Sequence, residues 1–172
     1  MAANTQADLA FESATIAALA AVLRLLSDNG LPVADVEVQI DAFTLVKSEG
    51  TVVGTVGLET YAKLALLRSL CVAPSHRSRG IGAALVRTIE SRAALEGVRE
   101  LYLLTTGAKE YFANLGFVSV PRDQVPHEIR STAQFSSLCP STAVCMCKAV
   151  AGSLELDSSG RHAVNPGFGK RQ

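Results

Sequence analysis

The segment from residue 65 to residue 95 constrains the fold more than any other part of the sequence. Residues 65–72 form a long apolar run that stops at Pro74, which is typical of a buried strand. A glycine-containing turn follows, and residues 82–95 then carry apolar side chains at helical spacing. The segment therefore predicts a strand, a glycine turn and a helix in direct succession, inside an α/β (α+β) domain.

The turn between that strand and that helix has the chemistry of an anion-binding site. The first backbone N–H groups of a helix lack intrahelical partners and lie at the positive end of its dipole, so they favour a bound diphosphate. Gly80 and Gly82 leave room for such a group, and Arg77 and Arg79 add positive charge beside it. There is no Gly-Lys-Ser or Gly-Lys-Thr sequence here, and Leu85 stands where a dinucleotide loop would have its third glycine. From these residues alone, an anion site and a plain tight turn both stay open.

The rest of the first 150 residues alternates between strand and helix patterns. Apolar spacing and turn residues predict strands at residues 8–12, 43–47, 51–60, 101–104, 117–120 and 143–150, a hairpin turn at residues 48–50, and helices at residues 15–29, 35–42, 108–114 and 123–132. We expect one domain over residues 1–150. Residues 151–172 are rich in Gly, Ser and charge and have no periodicity, which predicts a disordered tail.

Charge and hydropathy narrow the class of function. The chain has 16 basic and 16 acidic residues, so it lacks the basic footprint of a protein that binds nucleic acid or an anionic membrane. Hydrophobic residues make up 48% of the sequence. No apolar stretch approaches the ~20 residues of a membrane span, and residues 1–6 do not resemble a secretory signal. We therefore expect a soluble cytoplasmic protein that acts on a small molecule.

The four cysteines predict free thiols rather than disulfides, since a cytoplasmic protein is kept reduced. Cys145 and Cys147 alternate around Met146, which places both on one face of a strand, and Cys139 lies nearby in the sequence. Three such thiols could bind a thiophilic metal or metalloid. We prefer to interpret them as small buried apolar residues, because free cysteine is among the most buried residue types, and we predict no metal site.

Two motifs resemble those of the Gcn5-related (GNAT) N-acetyltransferase superfamily. Residues 77–82, Arg-Ser-Arg-Gly-Ile-Gly, are similar to its pyrophosphate-binding signature (Gln/Arg)-x-x-Gly-x-(Gly/Ala), and residues 70–74 supply the Leu-x-Val-x-Pro that precedes it in the family. Residues 105–117 resemble the second family motif, Asn-x-x-Ala-x-x-Phe-Tyr-x-x-x-Gly-Phe. The resemblance extends over residues 8–150.

The resemblance implies a GNAT fold, with a mixed, mostly antiparallel central sheet of about six to seven strands, splayed at its middle and flanked by about four to five helices. Strands at residues 65–72 and 101–104 would separate to form a cleft for acetyl-CoA, whose pantetheine arm pairs like an extra strand. It also implies a small-molecule amine as the acceptor, and it leaves a homodimer open. The residues that it assigns to acetyl-CoA are Leu70, Cys71, Val72, Arg77, Ser78, Arg79, Gly80, Ile81, Gly82, Thr105 and Phe112.

The groups for proton transfer depart from the family pattern. The usual GNAT proton donor is a Tyr four residues before the Gly of the second motif, and Phe112 occupies that position. Tyr111 is adjacent but points about 100° away around the helix, so it could act only from a shifted helix, and water is the alternative donor. The usual base, a Glu near the start of the fourth strand, is also absent, and Glu59 is the nearest carboxylate. We take Tyr111 and Glu59 as the catalytic candidates, with core packing and plain solvation as the respective alternatives.

Three segments resemble the GNAT subgroup of bacterial arsenic-resistance operons, namely residues 66–70, 101–106 and 129–140. That subgroup is similar in role to phosphinothricin acetyltransferases, which implies an acceptor with one amine and two acidic groups, such as arsinothricin. The resemblance makes Arg68 and Arg130 candidate substrate ligands. Arg68 stands in an apolar strand and needs an anionic partner, either Glu59 or an acid group of the substrate. Acetylation of another small amine or of a protein N-terminus, and a non-catalytic acetyl-CoA or metalloid-binding module, are the alternatives.

Overall fold

The computed structural model describes residues 9–152, which form a seven-stranded sheet flanked by helices. The strands are β1 (Leu9–Ser13), β2 (Phe43–Ser48), β3 (Thr51–Tyr61), β4 (Leu64–Val72), β5 (Glu100–Thr105), β6 (Val118–Val120) and β7 (Val144–Ala149). Their order in the sheet is β1-β2-β3-β4-β5-β7-β6. Each predicted strand is present, and the predicted hairpin turn joins β2 to β3 through Glu49 and Gly50, whose φ angles of 50° and 78° suit a tight hairpin.

The sheet is open at its centre, between β4 and β5. These two strands are parallel, whereas the other neighbours in the described sheet are antiparallel. They pair at only three positions, from Leu64 with Glu100 to Leu66 with Tyr102. Further along, β5 continues to pair with β7 but no longer with β4. The splayed sheet expected from the GNAT resemblance is therefore confirmed.

Helices cover both faces of the sheet. They are α1 (Leu19–Asp28), α2 (Ile81–Leu95), α3 (Lys109–Asn114) and α4 (His127–Arg130). On one face, α2 packs against the central strands, and Leu67 of β4 points toward it. On the other face, α1 packs beside β2 and α4 packs over Leu66. The alternation of Leu66 and Leu67 between the two cores follows from the period of a strand.

The helix predicted at residues 35–42 is wrong. Residues 34–39 form turns, and a single 3₁₀ turn follows at Ile40–Ala42. Val36, Val38 and Ile40 are β-branched, which weakens a helix, and the Asp35 carboxylate forms a long-range ion pair with Arg68.

The helix predicted at residues 123–132 is also interrupted. A 3₁₀ turn spans Arg122–Gln124, Val125 is extended with ψ 134°, and α4 begins only after Pro126. Proline lacks a backbone N–H and disfavours helical geometry in the preceding residue, so it separates the two pieces. A short π-helical segment at Gln134–Leu138 follows.

Two further predictions concern the ends of the chain and membranes. Among residues 9–152, no helix combines the length and the apolar character that a bilayer span requires. Most of the predicted disordered tail, from residue 153 onward, lies outside the described residues.

Candidate active site

A cavity of about 530 Å³ lies at the first turn of α2. Gly80 turns the chain into this helix with a left-handed φ of 76°, and no side chain caps the helix start. The first N–H groups of α2 therefore lack intrahelical partners, and their residues Ile81, Gly82 and Ala83 line the cavity. This is the arrangement that an anion-binding turn requires.

Most residues that the sequence assigned to acetyl-CoA surround this one cavity. Those that line it are Leu70, Cys71, Val72, Arg77, Ser78, Gly80, Ile81, Gly82 and Phe112. Thr105 lines a neighbouring cavity instead, and its Oγ1 accepts a hydrogen bond of 3.0 Å from the backbone N–H of Ala108 before α3. Arg79 is exposed and lines neither cavity.

The Arg77 guanidinium is bound by groups of the chain itself. Its Nε donates to the Val72 carbonyl oxygen at 3.0 Å, and its Nη2 donates to Asn29 Oδ1 at 2.6 Å. The Asn29 amide in turn donates to the Leu25 carbonyl oxygen at 2.7 Å. Arg77 therefore ties the end of α1 to the turn, and it shapes the cavity wall in addition to contributing charge.

Tyr111 lies over the start of α2. A Cβ built on Gly82 would overlap the Tyr111 hydroxyl, and the Tyr111 ring meets Phe112 edge to face at 5.4 Å. Burial raises the pKa of Tyr111, so its hydroxyl stays protonated at neutral pH. Sequence analysis attributed the need for glycine at position 82 to a phosphate alone, but the glycine also makes room for this hydroxyl.

A second cavity of about 490 Å³ adjoins the first, since Leu70 and Phe112 line both. At its edge β4 contains a β-bulge: on β3 Thr55 and Gly57 are two residues apart, while their partners Cys71 and Arg68 are three apart. Ser69 lies in this bulge with a left-handed φ of 54°, which is uncommon for a residue other than glycine. The bulge turns the strand where β5 leaves it, and Ser69 lines the second cavity.

Arg68 is at the centre of a buried group that we call the Arg68 cluster, formed by Asp35, Glu59, Tyr61 and Arg68. Arg68 Nη1 donates to Glu59 Oε1 at 2.7 Å and also to Asp35 Oδ2, and Arg68 Nη2 donates to Asp35 Oδ1 at 2.6 Å. The Tyr61 hydroxyl donates to Glu59 Oε2 at 2.6 Å. One guanidinium thus faces two carboxylates, so the cluster has a surplus negative charge when both are ionised.

The hydrogen bonds of this cluster change the proton affinities of its members. The hydrogen bond from Arg68 lowers the pKa of Asp35 and outweighs the opposite effect of burial. Burial and, next, the hydrogen bond to Glu59 raise the pKa of Tyr61. Asp35 therefore stays ionised, and Tyr61 stays neutral, throughout the physiological pH range.

The contacts within the Arg68 cluster bear on the roles expected for Glu59 and Arg68. Of the two anionic partners that the sequence allowed for Arg68, the structure contains Glu59, with Asp35 in addition. Glu59 is not a solvated strand-end residue, because it is only 8% exposed, and it lines neither cavity. Its role as a base stays a prediction, while its observed contacts hold Arg68. Arg130 is exposed at the end of α4 and is not brought to either cavity.

The amino-acid sequence and the fold both resemble those of known acetyltransferases. Residues 39–119 match the family model of the acetyltransferase (GNAT) domain. This part of the chain is similar to a GNAT acetyltransferase domain. An amino-acid acetyltransferase from Aeromonas salmonicida is 30% identical to this chain over 113 residues, which cover 62% of this chain and 26% of that protein. The chain thus spans about a quarter of the length of the curated relatives that it matches.

Solved structures share the fold of this chain. N-acetylglutamate synthase from Neisseria gonorrhoeae, complexed with coenzyme A and N-acetyl-glutamate, has a TM-score of 0.71 and 23% identity, over 84% of this chain and 36% of that one. PaiA N-acetyltransferase from Thermoplasma acidophilum, in complex with coenzyme A, has a TM-score of 0.64 and 14% identity, over 83% of this chain and 99% of that one.

Three residues near the second cavity were not predicted from the sequence: Asp35, Tyr61 and Gln134. Tyr61 carried a usable signal, because it stands two residues after Glu59 and so shares its face of β3. Asp35 carried none, because it lies in a run of turns and meets Arg68 only through the tertiary fold, and Gln134 carried none, because its burial depends on that fold.

Cys139, Cys145 and Cys147 occupy two different environments. Cys145 and Cys147 are buried beside α4 in a core that includes Leu66 and Ile129, and burial raises the pKa of Cys145 to about 11. Cys139 lines the second cavity instead. Within residues 9–152, no group of three or more His, Cys, Asp or Glu side chains could hold a metal ion.

Proposed function

We propose that this chain is a GNAT-type, acetyl-CoA-dependent N-acetyltransferase whose acceptor is the amine of a small amino acid with a second acidic group, of the arsinothricin or phosphinothricin type. The observation that carries the proposal is the separation of β4 from β5 after Leu66 and Tyr102, beside the uncapped start of α2. Open strands offer backbone partners to an extended arm, and a helix start offers them to its anionic end.

The residues of the first cavity fit acetyl-CoA in two respects. The helix start has no side-chain cap, and Ile81, Gly82 and Ala83 of its first turn line the cavity. The N–H groups of residues 81–83 would bind the diphosphate, and backbone groups of Leu70 and Val72 would bind the pantetheine arm and the acetyl carbonyl oxygen. When bound there, acetyl-CoA supplies a thioester that is open to attack by an amine.

The second cavity is the proposed site of the acceptor. Its walls are largely apolar and include Leu67, Leu103 and Leu104, which would exclude water from the reacting atoms. No Asp or Glu is among its lining residues. The acceptor amine must therefore enter in its neutral form or lose its proton to water. Most of the rate acceleration would then come from holding the amine next to the thioester.

The departing thiolate also needs a proton, and the apolar wall of the second cavity does not supply it. Phe112 stands between the two cavities and has no proton to give, and the Tyr111 hydroxyl lies over Gly82 at the start of α2. We therefore propose that water protonates the thiolate, which a good leaving group such as the coenzyme A thiol permits.

Three observations support an amino acid as the acceptor. Curated relatives are amino-acid acetyltransferases. One solved structure with the same fold was determined with N-acetyl-glutamate. Residues 66–70, 101–106 and 129–140 resemble the arsenic-resistance subgroup. Because Arg68 already shares its charge with Asp35 and Glu59, we propose that it holds the wall of the acceptor site and does not serve as a free cation.

Release of free coenzyme A thiol, measured against a panel of amines, tests the proposal. The panel contains phosphinothricin, arsinothricin, L-glutamate, a simple alkylamine and a peptide with a free N-terminus. We expect the highest kcat/KM for the amino acids that have a second acidic group. Higher kcat/KM for the alkylamine or the peptide would overturn the acceptor class, and no thiol release with any amine would overturn the activity.

A further inference from the structure

Gln134 presents an unsatisfied polar group inside the domain. The residue is 5% exposed, and its Nε2 has no hydrogen-bond partner among the described residues. Its Oε1 accepts a hydrogen bond from the Cys139 thiol at 3.3 Å. Burial raises the pKa of Cys139, which keeps that thiol protonated and able to donate, so the contact fixes the amide with Nε2 turned away from Cys139.

Gln134 lines a small cavity of about 60 Å³, together with Arg68, Ser69, Cys139 and apolar side chains. This small cavity shares Arg68, Ser69 and Cys139 with the second cavity, but it shares only Leu31 with the first. It therefore lies on the side of the acceptor site that is remote from the start of α2.

Ser69 adds a second neutral donor to the same wall. Its Oγ accepts a hydrogen bond from Arg68 Nε at 3.3 Å, which leaves the hydroxyl proton free to donate. The β-bulge holds Ser69 in a left-handed conformation that is costly for a serine, and such conformations concentrate at functional sites.

A buried donor without a partner is costly, because it has lost its hydrogen bonds to water and gained none. A ligand that offers an oxygen at this position removes that cost. We propose that Gln134 Nε2, with the Ser69 hydroxyl, binds an oxygen at the distal end of the acceptor's side chain, and so selects acceptors that carry one. This inference rests on the proposed function and identifies the subsite that binds the second polar group of the acceptor.

The charge of the Arg68 cluster defines what this subsite recognises. Arg68 is offset by Asp35 and Glu59, so the pocket offers neutral hydrogen-bond donors and little free positive charge. Recognition then depends on the presence and position of an oxygen, and a side-chain carboxylate and a side-chain amide both provide one.

Steady-state kinetics with three acceptors of matched length test the subsite: L-glutamate, L-glutamine and L-norvaline, which lacks the distal oxygen. In Gln134→Met, we expect KM to rise about tenfold for glutamate and glutamine, which corresponds to about 1.4 kcal/mol, and to stay unchanged for norvaline and acetyl-CoA. The thermal unfolding midpoint should be unchanged or higher, because an unsatisfied buried donor has been replaced by an apolar side chain of similar length.

Gln124→Met is the matched control, since Gln124 is exposed and lines none of the three cavities. It should change neither KM nor the unfolding midpoint. An unchanged KM for glutamate and glutamine in Gln134→Met would overturn the subsite while leaving the acetyltransferase activity intact, and so would an equal rise for norvaline. A rise in KM for glutamate alone would indicate that the subsite selects an anionic group. Equal rises in KM for glutamate and glutamine would indicate that it accepts any oxygen. Absence of turnover with every acceptor in the unsubstituted protein would overturn the proposed function and this subsite with it.

Discussion

The Tyr111 hydroxyl occupies the space that a side chain at Gly82 would need. Gly82 stands in the first turn of α2, where the N–H groups are free, so the two residues together close the wall of the first cavity. A ligand that binds these N–H groups must share this space with Tyr111. Both residues therefore control access to the proposed diphosphate site.

Gly82→Glu should weaken acetyl-CoA binding by at least tenfold, which is about 1.4 kcal/mol. The added carboxylate would displace Tyr111 and place a negative charge where the diphosphate is expected to bind. Isothermal titration calorimetry measures the effect. Ser91→Glu adds the same charge to an exposed position further along α2 and should leave the affinity unchanged. If a folded Gly82→Glu variant bound acetyl-CoA as tightly as the unsubstituted protein, the start of α2 would not be part of the cofactor site.

Tyr111→Phe should retain most of the turnover, with kcat reduced by less than about tenfold. The hydroxyl lies over the start of α2, and Tyr111 does not line the second cavity, so it is poorly placed to protonate the thiolate. A modest rise in the KM for acetyl-CoA is expected, because the hydroxyl borders the proposed diphosphate site. Loss of more than about a hundredfold in kcat, with acetyl-CoA binding intact, would instead identify Tyr111 as the general acid.

Local sequence patterns predicted the parts of the fold that depend on neighbouring residues. The strand before Pro74 and the helix after Gly82 follow from apolar periodicity, and both are present as β4 and α2. The helix predicted at residues 123–132 is too long, because the apolar pattern continues across Pro126 whereas the backbone does not.

Contacts between distant parts of the chain could not be predicted in the same way. The sequence indicated that Arg68 needs an anionic partner, but Asp35 is 33 residues away in a segment without a regular pattern. The unsatisfied amide of Gln134 exists only because the folded chain surrounds it. Physical rules thus predict that a buried charge must be paired, whereas the identity of its partner depends on the tertiary fold.

Arg68→Met should lower the free energy of unfolding at pH 7 by about 3 to 5 kcal/mol. The substitution leaves Asp35 and Glu59 facing each other in a buried place without their cation. Chemical denaturation measures the change. Arg24→Met is the matched control: Arg24 pairs with Asp28 at the surface, and its loss should change stability by less than about 1 kcal/mol. A similar small effect at both positions would show that the cluster is not a stability determinant.

Asp35→Asn should make stability less sensitive to acid. The pKa of Asp35 is lower in the folded protein than in the unfolded chain, so its ionised form stabilises the fold above the unfolded pKa of about 3.9. That contribution is lost as the pH falls through the folded pKa. Unfolding free energies measured from pH 6 down to pH 3 should therefore fall less in Asp35→Asn than in the unsubstituted protein. A steeper fall in the variant would contradict the ion pair with Arg68.

The dependence of activity on pH separates a protein base from deprotonation by water. Among residues 9–152, no carboxylate lines the second cavity, and both oxygens of Glu59 already accept hydrogen bonds, from Arg68 and from Tyr61. If water takes the proton, kcat/KM should rise with pH until the acceptor amine itself is mostly neutral, and acceptors of different amine pKa should shift the profile accordingly.

Glu59→Gln completes this test. The substitution weakens the hold on Arg68, so it should lower activity and stability, but the apparent pKa of the kcat/KM profile should stay that of the acceptor amine. A conserved profile with reduced kcat/KM would therefore identify Glu59 as a positioning residue. If the profile of the unsubstituted protein instead followed a group near neutral pH for every acceptor, and if Glu59→Gln removed that dependence, Glu59 would be the general base. The same acceptors serve both proteins, so the comparison depends only on the residue at position 59.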